Sequence, residues 1–222
     1  MRDTTTKDRL IESAAHVLHQ RSYGSVGVDE LCERAGVRKG SFYHFFESKR
    51  DLALAVLEAH WDGFERHVLR PAREAERPLD RIALVFEYAI ATVERTRKDE
   101  GHVLGCPFGN LAAELSTIEP EIRGRIAEIF IRLARFFEDA LAAAVVAGDL
   151  GETDVARAAS ALVAYYEGVI LLGKTAGETQ LMRRLAPGAL LLAALGGEGR
   201  KTSARSAKRT GPRGAVRGQC KS

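Results

Sequence analysis

Between Val28 and Phe46 the chain spells two short helices around a glycine, and few folds accept that pattern. Val28, Leu31, Cys32 and Ala35 follow the i, i+3, i+4, i+7 spacing of an amphipathic helix. Gly36 interrupts it as a turn residue, and a second short helix is expected over about Arg38–His44. Phe42, Phe45 and Phe46 are expected to turn inward near its end. Two short helices joined by so tight a turn hold each other at a steep angle, the geometry of a helix-turn-helix. Val28, Leu31, Ala35, Val37 and Phe42 would pack between them. Arg38, Lys39, Ser41, Tyr43 and His44 would then point outward as hydrogen-bond donors from a helix able to enter a major groove. Gly40 lets the backbone approach DNA closely, and Lys49 lies within reach of a phosphate.

Helical periodicity extends over the rest of the chain, with no strand-like alternation and no repeat, so the fold class is all-α. A first helix spans about Thr5–Gln20, and Tyr23 and Gly24 end it. Ser48 is a good N-cap for a fourth helix reaching about Leu69, with apolar residues on two faces, as in a bridge between two domains. Later helices are expected at about 78–98, 107–116, 119–147, 153–174 and 178–195. Pro71 and Pro78 bracket one connection, Thr153 caps the helix after Gly151, and Pro187 kinks or splits the last helix. The expected organisation is a DNA-binding domain over residues 1–50, a helical effector-binding and dimerisation domain over 51–196, and a disordered basic tail over 197–222.

Charge alone does not point to nucleic acid. The net charge of +3 includes eight Lys or Arg and no acidic residue in 199–222, so the body carries 3 − 8 = −5. The case for DNA is therefore local to the helix-turn-helix. No apolar run approaches the roughly 18 residues of a membrane span, and the N-terminus lacks the apolar core of a signal peptide. A cytoplasmic protein with no membrane contact is expected. Cys32, Cys106 and Cys220 show no zinc spacing and are expected as free thiols, with no metal and no cofactor.

The stretch AGVRKGSFYHFFESKRDL resembles the signature of the tetracycline-repressor (TetR) family, in which an AGV turn precedes K-G-x-x-Y-x-x-F and then a Ser-Lys pair. The likeness is close over about residues 7–55. It implies that Lys39, Tyr43 and Lys49 touch phosphate or base edges. Arg38 stands where the family often has Ser or Thr, and Gly27 replaces a frequent capping hydroxyl. The resemblance further implies a homodimer on a palindromic double-stranded operator, most simply a repressor released by a small-molecule or electrophile effector. A helix at 153–174 supports the dimer independently. Val155, Ala159, Leu162, Tyr166 and Val169 form one apolar stripe, and Ala161, Tyr165, Gly168 and Leu172 a second.

In the later helices, GCPFGNLAAEL (residues 105–115) resembles a segment of a TetR branch that includes electrophile-sensing repressors. Pro107 at a first helical position places Cys106 at the N-cap, where the helix dipole would lower its pKa. The resemblance places Lys174 near that thiol. A small, partly buried cysteine in a tight turn is the alternative. Asn110 and Glu114, one turn apart, are candidate polar anchors in an effector pocket walled by Trp61, Phe64, Phe86, Tyr165 and Tyr166. The aromatics fit general core equally well, and Glu114 fits an exposed or Arg-paired site. Two other functions are open: an enzyme using Cys106 with His102 as base, and nonspecific nucleic-acid binding through the tail.

Overall fold

In the computed structural model, which describes residues 5–195, Thr5 starts the first helix with a capping box. Its side chain accepts from the Asp8 amide while the Asp8 carboxylate takes the Thr5 amide. This helix, α1 (Thr6–Gln20), ends in a 3-10 turn over Tyr23–Ser25. Next come α2 (Val28–Ala35) and α3 (Lys39–Phe45), separated by Gly36 at φ 63°, a left-handed conformation that suits glycine. Gly27 is the N-cap of α2, as expected, without a side-chain hydrogen bond. Helix α4 (Lys49–Phe64) starts from Ser48, whose side chain accepts from the Asp51 amide.

Beyond Phe64 the helix does not stop. It widens into a π-turn over Glu65–Leu69 and continues as α5 (Arg70–Arg73) through Pro71. The connection between Pro71 and Pro78 is present over 74–77, but the helix does not end before Pro71. Pro71 has no N–H to give, and the ladder adapts just upstream, where the Arg70 amide bonds the Glu65 carbonyl. The body consists of α6 (Pro78–Glu100), α7 (Pro107–Leu115), α8 (Pro120–Ala147), α9 (Val155–Ala176), α10 (Thr179–Leu185) and α11 (Gly188–Leu195). The last helical stretch is split at Pro187, as expected. Asp154, not Thr153, caps α9 by accepting from the Arg157 amide, while the Thr153 hydroxyl bonds the Gly151 carbonyl. No strand occurs among the described residues. The tail with Cys220 lies outside them.

One continuous apolar core runs from Leu10, Leu31 and Phe42 through Leu52, Val56 and Leu57 of α4 into Phe86, Phe137 and Leu162. Helix α4 packs on α1 and also on α7 and α8, so it ties the N-terminal bundle to the body. Cys32 is buried in this core. The reading of no sufficiently apolar run is corrected at α9, whose 22 residues are long and apolar enough by composition to cross a membrane. Its apolarity has a packing cause. Ala159, Leu162, Tyr166 and Val169 are buried, and α9 packs against α8, α10 and α11.

Candidate nucleic-acid interface and effector cavity

Helix α3 has two unlike sides. Phe42 is fully buried, with its ring edge-on to Tyr43. On the other side Arg38, Lys39, Gly40, Tyr43 and His44 are exposed and Ser41 is half-buried. Tyr43 is 53 % exposed, a large aromatic with no core to fill. A Cβ at Gly40 would meet nothing within 4 Å, so no internal packing demands that glycine. Lys39 pairs with Asp29 across the turn at 2.7 Å. An exposed pair of this kind contributes little and exchanges easily for a phosphate.

Two assignments in this region change. Phe45 does not turn inward; it is 38 % exposed and packs edge-on against the His44 ring. Lys49 is not free to meet a phosphate. Its ammonium donates to the carbonyls of Tyr23 and Val26, each at 2.9 Å, and lies 4.0 Å from the centre of the Tyr23 ring. Burial lowers its pKa, against the pull of Glu114 and Glu119.

The body carries a partly open inner cavity of about 260 Å³ between α4, α6, α7 and α9, whose lining includes His60, Phe64, Thr92, Arg95, Phe108 and Tyr166. A groove of about 580 Å³ lies on the other side of Gly105 and Cys106, with Asn110 and Glu167 on its wall. His19, Gly105 and Cys106 line both. Of the expected aromatic walls, Phe64 and Tyr166 line the cavity, their rings edge-on at 6.0 Å. Trp61, Tyr165 and Phe86 do not. Trp61 is core beneath the Arg132 guanidinium. Tyr165 donates its hydroxyl to the Leu185 carbonyl at 2.6 Å and packs on Gly188. Phe86 is buried between Tyr165, Tyr166 and Phe137.

Cys106 is the N-cap of α7, as expected, but the residue is buried, only 9 % exposed. Burial and the neighbouring Glu167 carboxylate push its pKa well above the usual thiol value, while the Gly109 and Phe108 amides pull the other way. The helix N-terminus acts with the expected sign and is outweighed. Lys174 does not activate the thiol. Its ammonium donates to the Asn110 side-chain oxygen at 2.8 Å, and its stem crosses Gly105. Asn110 in turn donates to the Leu104 carbonyl, so it fastens the loop before α7 to α9. His102 is exposed, and no hydrogen bond joins it to Cys106 among the described residues, which leaves the thiol without the expected base.

Glu114 lines the groove with Asn110, but its carboxylate is engaged by the N-terminal head. It accepts from the Ser22 hydroxyl at 2.5 Å and from the amides of Tyr23 and Gly24 at 2.9 and 3.1 Å. Burial alone would raise its pKa, but these donors and Lys49 hold it below the usual carboxylate value.

Three groups were not singled out from the sequence. His19 bonds the Gly105 carbonyl at 3.0 Å, and its ring meets His60 edge-on. His60 stands between His19 and Phe108, and burial, with His19 nearby, pushes its pKa down to about 4. Glu167 presses on Gly109, where any Cβ would collide with its carboxylate, and one of its oxygens is buried without a partner. Burial raises its pKa. A helical reading of α1 and α4 does put His19 and His60 beside buried positions, which is the one local signal for them.

Residues 10–56 match the profile of bacterial regulatory proteins of the tetR family, and residues 78–188 match the tetracyclin repressor-like C-terminal domain. The transcriptional regulator AcuR of Cereibacter sphaeroides is 32 % identical over 170 residues, 74 % of each chain. The HTH-type transcriptional repressor DhaR of Mycobacterium sp. is 28 % identical over 77 % of this chain and 83 % of its own. The crystal structure of regulatory protein TetR from Rhodobacter sphaeroides superposes with a TM-score of 0.72 and 29 % identity, covering 82 % of this chain and 95 % of that one. The reduced form of Escherichia coli NemR also gives 0.72, at 22 % identity over 84 % of this chain and 97 % of its own, a likeness of fold.

Proposed function

From the premise that this chain belongs to the tetR family of bacterial regulatory proteins and is a DNA-binding transcriptional regulator, we propose that it reads its operator through α3 and releases it when a small molecule occupies the cavity beside Cys106. The exposed side of α3 carries this reading. Tyr43 stands on it flanked by Arg38, Lys39, Ser41 and His44, and Gly40 leaves open space between them. Buried Phe42 fixes the orientation of that face. A homodimer supplies two such helices for a palindromic site. Its interface is the outer side of α9 with α11, where Leu171, Leu172 and Leu191 are exposed.

The effector is a small neutral molecule. The inner cavity is mostly apolar, and His60, with its depressed pKa, offers a neutral imidazole there at ordinary pH. Cys106 and Glu167 line the adjoining groove. An electrophile is the second reading, favoured by the position of Cys106 between groove and cavity, with Glu167 as the nearby proton acceptor. The family's membership of regulators speaks against turnover at this thiol.

A gel-shift titration on an operator selected from random duplexes tests the DNA reading. Lys39→Ala and Tyr43→Ala should each weaken binding about tenfold while the dimer persists. Unchanged binding by both would remove α3 as the reading helix.

A further inference from the structure

Several polar contacts join the body to the N-terminal head: His16 and Gln20 meet Glu100, His19 bonds the Gly105 carbonyl, Arg50 pairs with Glu121, and three more meet at the 3-10 turn that joins α1 to α2. Glu114, on α7, takes the Ser22 hydroxyl and the Tyr23 and Gly24 amides of that turn. Lys49, at the start of α4, takes its carbonyls at Tyr23 and Val26. A short helical turn exposes N–H groups at one end and C=O groups at the other. Here a carboxylate holds the first set and an ammonium the second. All five bonds are charge-assisted and therefore stronger than neutral ones. The grip reaches across 90 residues of chain at Gly24, and it is made by a side chain of the body. Because this turn carries the chain straight into α2, whatever holds it also sets the angle at which α2 and α3 leave the body.

We propose that Glu114 is a positioning residue for operator binding: it fixes the head to α7 through the Ser22–Gly24 turn. It need not touch DNA. A carboxylate lost there frees the turn and lets the two heads of a dimer wander from the spacing that a two-part operator demands. The same helix begins at Cys106 and Pro107, and the preceding Gly105 carbonyl holds His19 of α1. So α7 grips α1 and the turn behind it from both of its own ends. Resting on the effector reading above, a molecule that displaces the N-terminus of α7 moves the Glu114 grip with it.

The test uses the full chain without effector. Operator is selected from random-sequence duplexes by wild-type protein, and affinity is measured on it and on an unrelated duplex at one salt concentration. Glu114→Ala should weaken operator binding about tenfold and leave the unrelated duplex unaffected. Glu114→Gln keeps an acceptor oxygen without the charge and should recover part of the loss. Amide exchange at Tyr23 and Gly24 should quicken in the alanine variant. Parallel loss on both duplexes would mean a damaged head and would overturn the proposal. So would operator affinity within about twofold of wild type, or unchanged protection of the two amides. Should wild type select no operator at all, the operator reading fails, and amide protection still decides whether Glu114 holds the turn.

Discussion

His60 ties the stability of the fold to pH with a sign and a size that can be worked out. Its ring stands between His19 and Phe108, and burial holds its pKa at about 4 against an ordinary 6.5. The unfolded chain therefore binds a proton at His60 that the folded chain refuses throughout that interval. Stability from this group is present above 6.5, falls as pH drops below it, and is exhausted near 4. A gap of that width corresponds to about 3 kcal/mol in all, and about 2 kcal/mol of it is gone by pH 5. His60→Gln removes the titration while keeping a polar side chain of similar reach. Urea unfolding of wild type and variant at pH 7.5 and pH 5.0, at one protein concentration because a dimer's stability depends on it, isolates the effect. Other groups also titrate in this range, His19 among them, so the quantity to read is the difference between the two proteins. Wild type should lose about 2 kcal/mol more than His60→Gln on going to pH 5.0. Equal losses would show that the imidazole is not held neutral, and the argument for a neutral effector would go with it.

The thiol and the dimer face give two further tests. At pH 7.5 Cys106 should react with iodoacetamide more slowly than a free thiol, since burial and Glu167 raise its pKa. Glu167→Gln should quicken that reaction and Lys174→Ala leave it unchanged; the reverse pattern would restore Lys174 as the activating group. Leu172 is 51 % exposed on the outer side of α9. Leu172→Glu should halve the mass seen by light scattering, and a persistent dimer would move the interface elsewhere.

Local features were legible in the sequence, and long-range ones were not. The Ser48 cap, the Gly36 turn, the split at Pro187 and the N-cap place of Cys106 each depend on residues within a turn of one another, and each is found as expected. The end of the fourth helix near Leu69 was misplaced because Pro71 reads as a break, whereas a π-turn absorbs the missing donor and the helix runs on to Arg73. Glu114 and Lys49 misled for a different reason. Their residue types announce charge, but their partners are backbone atoms of a turn 90 or so and about 25 positions away, and no spacing rule names a backbone atom at that range. Trp61, Phe64, Tyr165 and Tyr166 were all expected on the cavity because they are aromatic; only the register of α4 and α9 decides that Phe64 and Tyr166 face it and the other two do not.

Cys106 shows how magnitudes settle what local rules leave open. A helix N-terminus stabilises a nearby anion by at most ~2 kcal/mol, and less at most sites. Full burial of an ionisable group can move its pKa by ~3–5 units in the direction of the neutral form, which is a larger energy. At this thiol both act at once, and a carboxylate is added on the side of burial. The protein therefore holds Cys106 as a thiol while that residue stays buried. For an electrophile to react there, the loop around Gly105 must first open to water or Glu167 must take the proton. Opening that loop also breaks the bond from His19 to the Gly105 carbonyl. If an electrophile acts there, the chemical event and the release of the head are not two steps joined by a distant relay, because the Gly105 loop that guards the thiol is also the one that holds α1.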